Sequence, residues 1–213
     1  MKYKYIAVEG PIGVGKTTLA KKLSVAVRGR YLADSEAINP YLKAFYQQPE
    51  KVAFHAQIHF LTSRLDAMNA VNVTDEKSPV VSDFMFDKDR LFAELTLNET
   101  EWQMYSAMYE RCTQNLPKPD LVVYLQAPLE RLVQRIERRG LKHEQRIESR
   151  YLQRLIELYE RFFHQYDASP LLIVNAAEIN LADSPADFDM LVERIRSVEG
   201  GRHFINPIAS ANA

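Results

Sequence analysis

Short, nearly unbroken apolar runs alternate along this chain with longer stretches in which apolar residues recur every three or four positions. The runs are Tyr5 to Val8, Pro79 to Ser82, Leu121 to Leu125 and Leu171 to Val174, with Arg30 to Leu32 a weaker fifth. Apolar on both sides of the chain, they read as strands covered on both faces, as in a parallel sheet. The helical spacing falls on Pro49 to Val73, Glu99 to Cys112, Leu129 to Arg139, Ser149 to Tyr166 and Ala186 to Val198. This alternation predicts an α/β fold, with ligands gathered at the carboxyl ends of the strands. Three segments that follow predicted strands should therefore share one crevice: the glycine-rich stretch after Val8, Asp34 to Glu36, and Asp83.

At 213 residues the chain is long enough to bury a core without staples, and one domain over residues 1–200 accounts for it. The small-residue tail, 201–213, is expected to be flexible. A formal net charge of -1 argues against a general nucleic-acid binder, whose affinity rests on many cations facing phosphates. The single cysteine, Cys112, cannot form an internal disulfide, which fits a reducing compartment. No apolar run reaches membrane-spanning length and no signal peptide is visible, so the expectation is a soluble cytoplasmic protein with no membrane partner.

Chemistry enters with Gly10-Pro11-Ile12-Gly13-Val14-Gly15-Lys16-Thr17, set between a predicted strand and a predicted helix that continues through Thr18 and Leu19. This is the phosphate-gripping P-loop pattern, and it predicts a nucleoside triphosphate, ATP, as ligand. Gly10, Gly13 and Gly15 let the backbone wrap, so that N–H groups from Val14 to Thr18 point at phosphate where the helix dipole favours negative charge. Lys16 brings a mobile positive charge to the β- and γ-phosphates, and the Thr17 hydroxyl can ligate Mg²⁺. Asp83, ending the strand Val80-Val81-Ser82, stands where such a fold keeps the carboxylate that holds Mg²⁺ through water; the alternative is a helix N-cap. Arg135, Arg138 and Arg139 precede the break at Gly140 and form a lid of about residues 135–146 that can close on ATP. A solvated basic helix face is the competing reading.

The P-loop is followed by Ser35-Glu36, Asn39-Pro40-Tyr41-Leu42, Phe45-Tyr46, Ala53-Phe54-His55-Ala56-Gln57 and Phe60-Leu61-Thr62-Ser63-Arg64. With the arginine-rich lid, this order resembles the deoxyribonucleoside kinases, most closely the bacterial deoxyadenosine, deoxyguanosine and deoxycytidine kinases, from Tyr5 to about Tyr166. The resemblance implies a P-loop kinase fold with a five-stranded parallel sheet, a homodimer with a helical interface, and Mg²⁺- and ATP-dependent phosphorylation of a deoxyribonucleoside 5′-hydroxyl. It makes Glu36 the general base, against the alternative of a solvated loop glutamate. Tyr46 resembles the tyrosine that bonds the sugar 3′-hydroxyl, with Glu144 as its carboxylate partner or else a surface residue. Gln57 matches the glutamine that pairs with the base edge, an amide being able to donate and accept at once. Arg64 lies two helical turns on, and Asp89 falls where adenosine- and cytidine-accepting relatives keep a carboxylate beside that arginine. Together they would favour amino-bearing bases over thymine; a structural salt bridge is the alternative. Phe54, Phe86 and Phe92 read as ring-stacking walls or as plain core.

One departure stands out. Relatives follow the third-strand acid with arginine and serine, whereas this chain reads Asp83-Phe84-Met85, and Arg90, one helical turn further, is the expected substitute. Two rival functions stay open beside the nucleoside kinase: a nucleoside monophosphate kinase of the thymidylate kinase type, and a nucleotide-binding regulatory protein that has lost turnover.

Overall fold

Every residue of β1 (Tyr5–Glu9) is buried, because alternate side chains enter two different cores. Ile6 and Val8 point into one and Tyr5 and Ala7 into the other, the two-residue period of a strand covered on both faces. The computed structural model describes residues 2–34, 39–71, 78–141 and 144–207. Around β1 run β2 (Arg30–Leu32), β3 (Val80–Ser82), β4 (Leu121–Gln126), β5 (Leu171–Asn175) and β6 (Arg202–Ile205). All pair in parallel, in the order β2-β3-β1-β4-β5-β6.

The helices are α1 (Lys16–Ala26), α2 (Leu42–Phe45), α3 (Pro49–Ala70), α4 (Asp87–Thr96), α5 (Glu99–Thr113), α6 (Leu129–Arg139), α7 (Ser149–Gln165) and α8 (Pro185–Ser197), with a 3-10 turn at Glu144–Arg146. Leu19 and Leu23 of α1 and Leu191, Val192 and Ile195 of α8 close one face of the sheet. Met68 of α3, Leu91 of α4 and Leu152, Leu155, Tyr159 and Phe163 of α7 close the other, where Tyr124 and Phe163 stack with ring centroids 4.2 Å apart. Local signals set the helix ends. Asn98 accepts from Glu101 N at 3.0 Å while Glu101 accepts from Asn98 N at 3.1 Å, a reciprocal cap that starts α5. Gly140, at φ 69°, ends α6 in the left-handed region.

The sheet has six strands rather than the five expected, because the segment assigned to a flexible tail adds an edge strand over Arg202–Ile205. Gly200 and Gly201, both at positive φ, turn the chain back, and Arg202 donates to the carbonyls of His164 and Tyr166 at 2.9 and 3.1 Å. From β1 the chain moves to one side of the sheet for β2 and β3 and to the other for β4 to β6. The order thus reverses at the carboxyl end of β1, where a parallel sheet opens a crevice.

Candidate active site

The loop leaving β1 is held from beneath. Gly10, at φ 147°, passes so close to β4 that a Cβ there would sit 2.2 Å from the Leu125 carbonyl oxygen. Glu9 is fully buried and accepts from Gly10 N at 2.8 Å, Met85 N at 3.1 Å and the Tyr159 hydroxyl at 2.9 Å. Burial raises its pKa, and the ammonium groups of Lys88 and Lys16 only partly offset this. Lys16 Nζ donates to the carbonyls of Gly10 and Pro11 at 2.8 and 3.1 Å, so it lies along the loop it would serve. The loop, α6 and the segment after β5 line a cavity of about 1040 Å³.

Thr17 and Asp83 meet on the wall of this cavity. The Thr17 hydroxyl donates to Asp83 Oδ2 at 2.5 Å, Tyr31 OH donates to the same oxygen at 2.8 Å, and Asp34 N donates to Oδ1 at 2.6 Å. One hydroxyl and one buried carboxylate are hard oxygen donors that fit Mg²⁺, which takes few protein ligands and completes its shell with phosphate and water. No cluster of three or more His, Cys, Asp or Glu suited to a metal occurs among the described residues.

A second cavity, lined by Leu42, Phe45, Tyr46, Gln57, Phe60, Arg64, Lys88 and Phe92, measures about 10 Å³, room for about one water. Its polar wall is a buried ionic cluster. Arg64 donates through Nε and a terminal nitrogen to Asp34 at 2.8 and 2.9 Å, and through its other terminal nitrogen to Asp89. Lys88 Nζ donates to Asp34 Oδ2 at 2.6 Å. Burial by itself would raise the pKa of Asp34, but Arg64 and Lys88 outweigh it and hold the carboxyl well below the usual range. Asp89, although paired with Arg64, is pushed up to about 6 by burial. Asp34 also lines the large cavity, so its carboxylate forms part of the partition between the two.

The structure therefore brings Tyr46, Gln57 and Arg64, with Asp89 behind it, to the small cavity, and the P-loop, Asp83, Arg135, Arg138, Arg139 and Glu144 to the large one. Glu36 lies outside the described residues. Arg135 donates to the carbonyls of Val14, Ala176 and Ile179 at 3.1, 2.7 and 3.2 Å, bracing the P-loop against the chain after β5. Glu144 pairs with Arg139, its Oε2 accepting from Nε at 2.8 Å, and lines the large cavity, not the small one with Tyr46. Phe54 is a further correction. Seven residues before Leu61, it shares that residue's face of α3 and packs toward α5, while Phe60 and Phe92 line the small cavity. Arg90 does not replace the missing arginine: it is exposed, over the Trp102 ring at 5.9 Å. Phe84 is fully buried in the core, beneath the Arg64 guanidinium.

Sequence reasoning passed over Glu9, Tyr31 and Lys88. A glutamate closing an otherwise apolar strand just before Gly10 was a legible signal; Lys88, within Asp87-Lys88-Asp89-Arg90, offered none, since that run reads as a solvated face.

The family described as Deoxynucleoside kinase matches residues 6–198. A deoxyguanosine kinase of Bacillus subtilis is 34% identical over 200 residues, covering 91% of this chain and 97% of that protein. A deoxyadenosine/deoxycytidine kinase of the same organism is 28% identical over 205 residues, covering 92% and 94%. The structure of deoxyadenosine kinase from M. mycoides with bound dATP shares the fold, with TM-score 0.79 and 24% identity over 91% of this chain and 100% of that one.

Proposed function

Because the chain belongs to the deoxynucleoside kinase family, we propose that it transfers the γ-phosphoryl of ATP, with Mg²⁺, to the 5′-hydroxyl of a deoxyribonucleoside bearing an amino group on its base. The observation that carries this reading is the partition. A phosphate-gripping loop occupies one side, an amide, a tyrosine and an arginine line the other, and a carboxylate links them. Mg²⁺, held by Thr17 and Asp83, would neutralise charge on the phosphates. Lys16 binds the β- and γ-phosphates, and Arg138 and Arg139 close from the lid. The proton of the attacking hydroxyl goes to a carboxylate of the loop after β2. Spacing assigns it to Glu36, while Asp34, held well below the usual carboxylate range by Arg64 and Lys88, is a poor proton acceptor.

Base choice rests on Gln57, whose Nε2 donates to Thr96 Oγ1 at 3.2 Å while its buried Oε1 has no partner. Asp89 Oδ2 is likewise buried without a partner. Acceptors left this way cost about 1–3 kcal/mol each, which an exocyclic amine offsets and a thymine carbonyl does not. Tyr46 serves the sugar 3′-hydroxyl, and Glu144 reaches it only on exchanging its bond to Arg139. The walls of the small cavity must part to admit a nucleoside. The homodimer belongs to the same proposal, with exposed Met104 on α5 among the apolar residues a helical interface would cover. So does a cytoplasmic location; no described helix is long and apolar enough to cross a membrane.

Incubation with labelled Mg-ATP and either deoxynucleosides or their monophosphates tests the reading. Label should appear in deoxynucleoside 5′-monophosphates. Label in diphosphates would favour the monophosphate kinase, and nucleotide binding without transfer the regulatory alternative.

A further inference from the structure

We propose that Lys88 is a further catalytic residue: its ammonium, carried on the first turn of α4, stabilises the phosphoryl group from the acceptor side as it passes between the two cavities. The inference rests on the kinase reading above. Phosphoryl transfer gives a protein little covalent work and asks for cations around the moving group. In the balanced step the 5′-oxygen bonds to the γ-phosphorus, the bond from that phosphorus to the β,γ-bridging oxygen breaks, ADP leaves with the electron pair, and the hydroxyl proton passes to the carboxylate loop after β2. Negative charge thus crosses the partition at Asp34.

On the donor side Lys16 serves this charge. On the acceptor side the described cavity wall carries two cations, Arg64 and Lys88. The planar fork of Arg64 is committed to two carboxylates at once, Asp34 and Asp89. Lys88 has a compact ammonium on a flexible four-carbon stem, able to swing from one oxygen to another. It is 1% exposed, and a buried lysine must have a charged partner. Lys88 adds a third bond to Asp34, which already accepts two from Arg64, and so sets its ammonium against the carboxylate that lines the large cavity.

Its position fits transfer as well. Asp34 N donates to Asp83, which accepts from Thr17, so Lys88 stands three short contacts from the P-loop helix. Glu9, beneath the loop, senses the Lys88 and Lys16 ammonium groups together. Phe84, next to Asp83, is buried and apolar, and exposed Arg90 lies over Trp102, so neither brings a cation to this wall.

Lys88→Gln and Lys88→Arg test the proposal. Gln keeps a donor for Asp34 and removes the charge; Arg keeps the charge. Lys88→Gln should lower kcat by about 10²-fold with the KM for ATP within about twofold of wild type, and Lys88→Arg should recover at least about tenfold of that loss. Affinity for ADP with Mg²⁺, aluminium fluoride and deoxynucleoside, which mimics the group in flight, should fall with kcat while ATP affinity stays. A structural lysine would lower the Tm of Lys88→Gln and leave kcat per folded molecule unchanged, which would overturn the proposal. If Lys88→Gln does not fold, Lys88→Met and Lys88→Arg carry the same comparison, and an Arg variant no more active than Met overturns it. Transfer by wild type and Lys88→Gln at equal rates would sink Lys88 alone. A wild-type protein that phosphorylates no deoxynucleoside would sink the kinase reading, and Lys88 with it.

Discussion

Arg64 and Asp89 face each other across one buried ion pair, yet removing them should have very different consequences. Arg64 serves two carboxylates, and its side chain is 3% exposed against 0% for Asp89. Arg64→Met leaves Asp34 with Lys88 but deprives Asp89 of the guanidinium it pairs with. Breaking a fully buried pair this way costs about 3–5 kcal/mol, a fall in Tm on the order of 10 °C for a chain of this size. Asp89→Asn leaves Arg64 with both bonds to Asp34, keeps an oxygen for the third, and removes a charge that burial disfavours; it should change stability by no more than about 1 kcal/mol at neutral pH. The folded pKa of Asp89, about 6, lies above its ordinary 3.8. Its contribution to stability is therefore fully present below the lower value and lost as pH rises through the higher one. The Asn variant should lack this step between about pH 4 and pH 6, and the cost of Arg64→Met should shrink as Asp89 takes up its proton. Urea unfolding followed by the fluorescence of Trp102, the sole tryptophan, at about pH 5 and pH 7.5 measures all three proteins. Equal losses for the two variants, or a cost of Arg64→Met that does not change with pH, would refute the reasoning.

Lys16→Ala should abolish phosphoryl transfer with the fold intact, since it deletes the charge assigned to the phosphates and nothing from the core; undiminished turnover would remove Lys16 from the site. Glu36→Gln should lower kcat by about 10²-fold or more with ATP affinity intact, and the same loss in Asp34→Asn with an active Glu36→Gln would move the proton to Asp34. Gly10→Ala should lose ATP binding in a titration calorimeter, because its Cβ would meet the Leu125 carbonyl at 2.2 Å and backbone cannot yield cheaply; tight binding would show that the loop tolerates a wider path.

The features legible in the sequence were those written in local pattern. Five apolar runs became strands, and the glycine spacing with Thr17 and Asp83 came together on the wall of the large cavity, because strand burial and loop geometry depend on residues near one another in the chain. What stayed hidden depends on distant partners. β6 looks like tail because its residues are exposed, and only Gly200, Gly201 and the reach of Arg202 to α7 fix it to the edge. Glu9 and Lys88 are charged residues whose burial becomes affordable only when Met85, Tyr159 and Asp34 arrive from elsewhere. Phe54 and Gln57 stand three residues apart on one helix, too close for spacing to tell which would face the small cavity.

The most direct test of the account is the ranking of kcat/KM for deoxyadenosine, deoxyguanosine, deoxycytidine and thymidine at saturating Mg-ATP. One or more amino-bearing nucleosides should exceed thymidine by about 10- to 200-fold, the discrimination expected from one or two buried acceptors left unpaired. Thymidine at the head of the ranking, or no phosphorylation of any of the four, would contradict it.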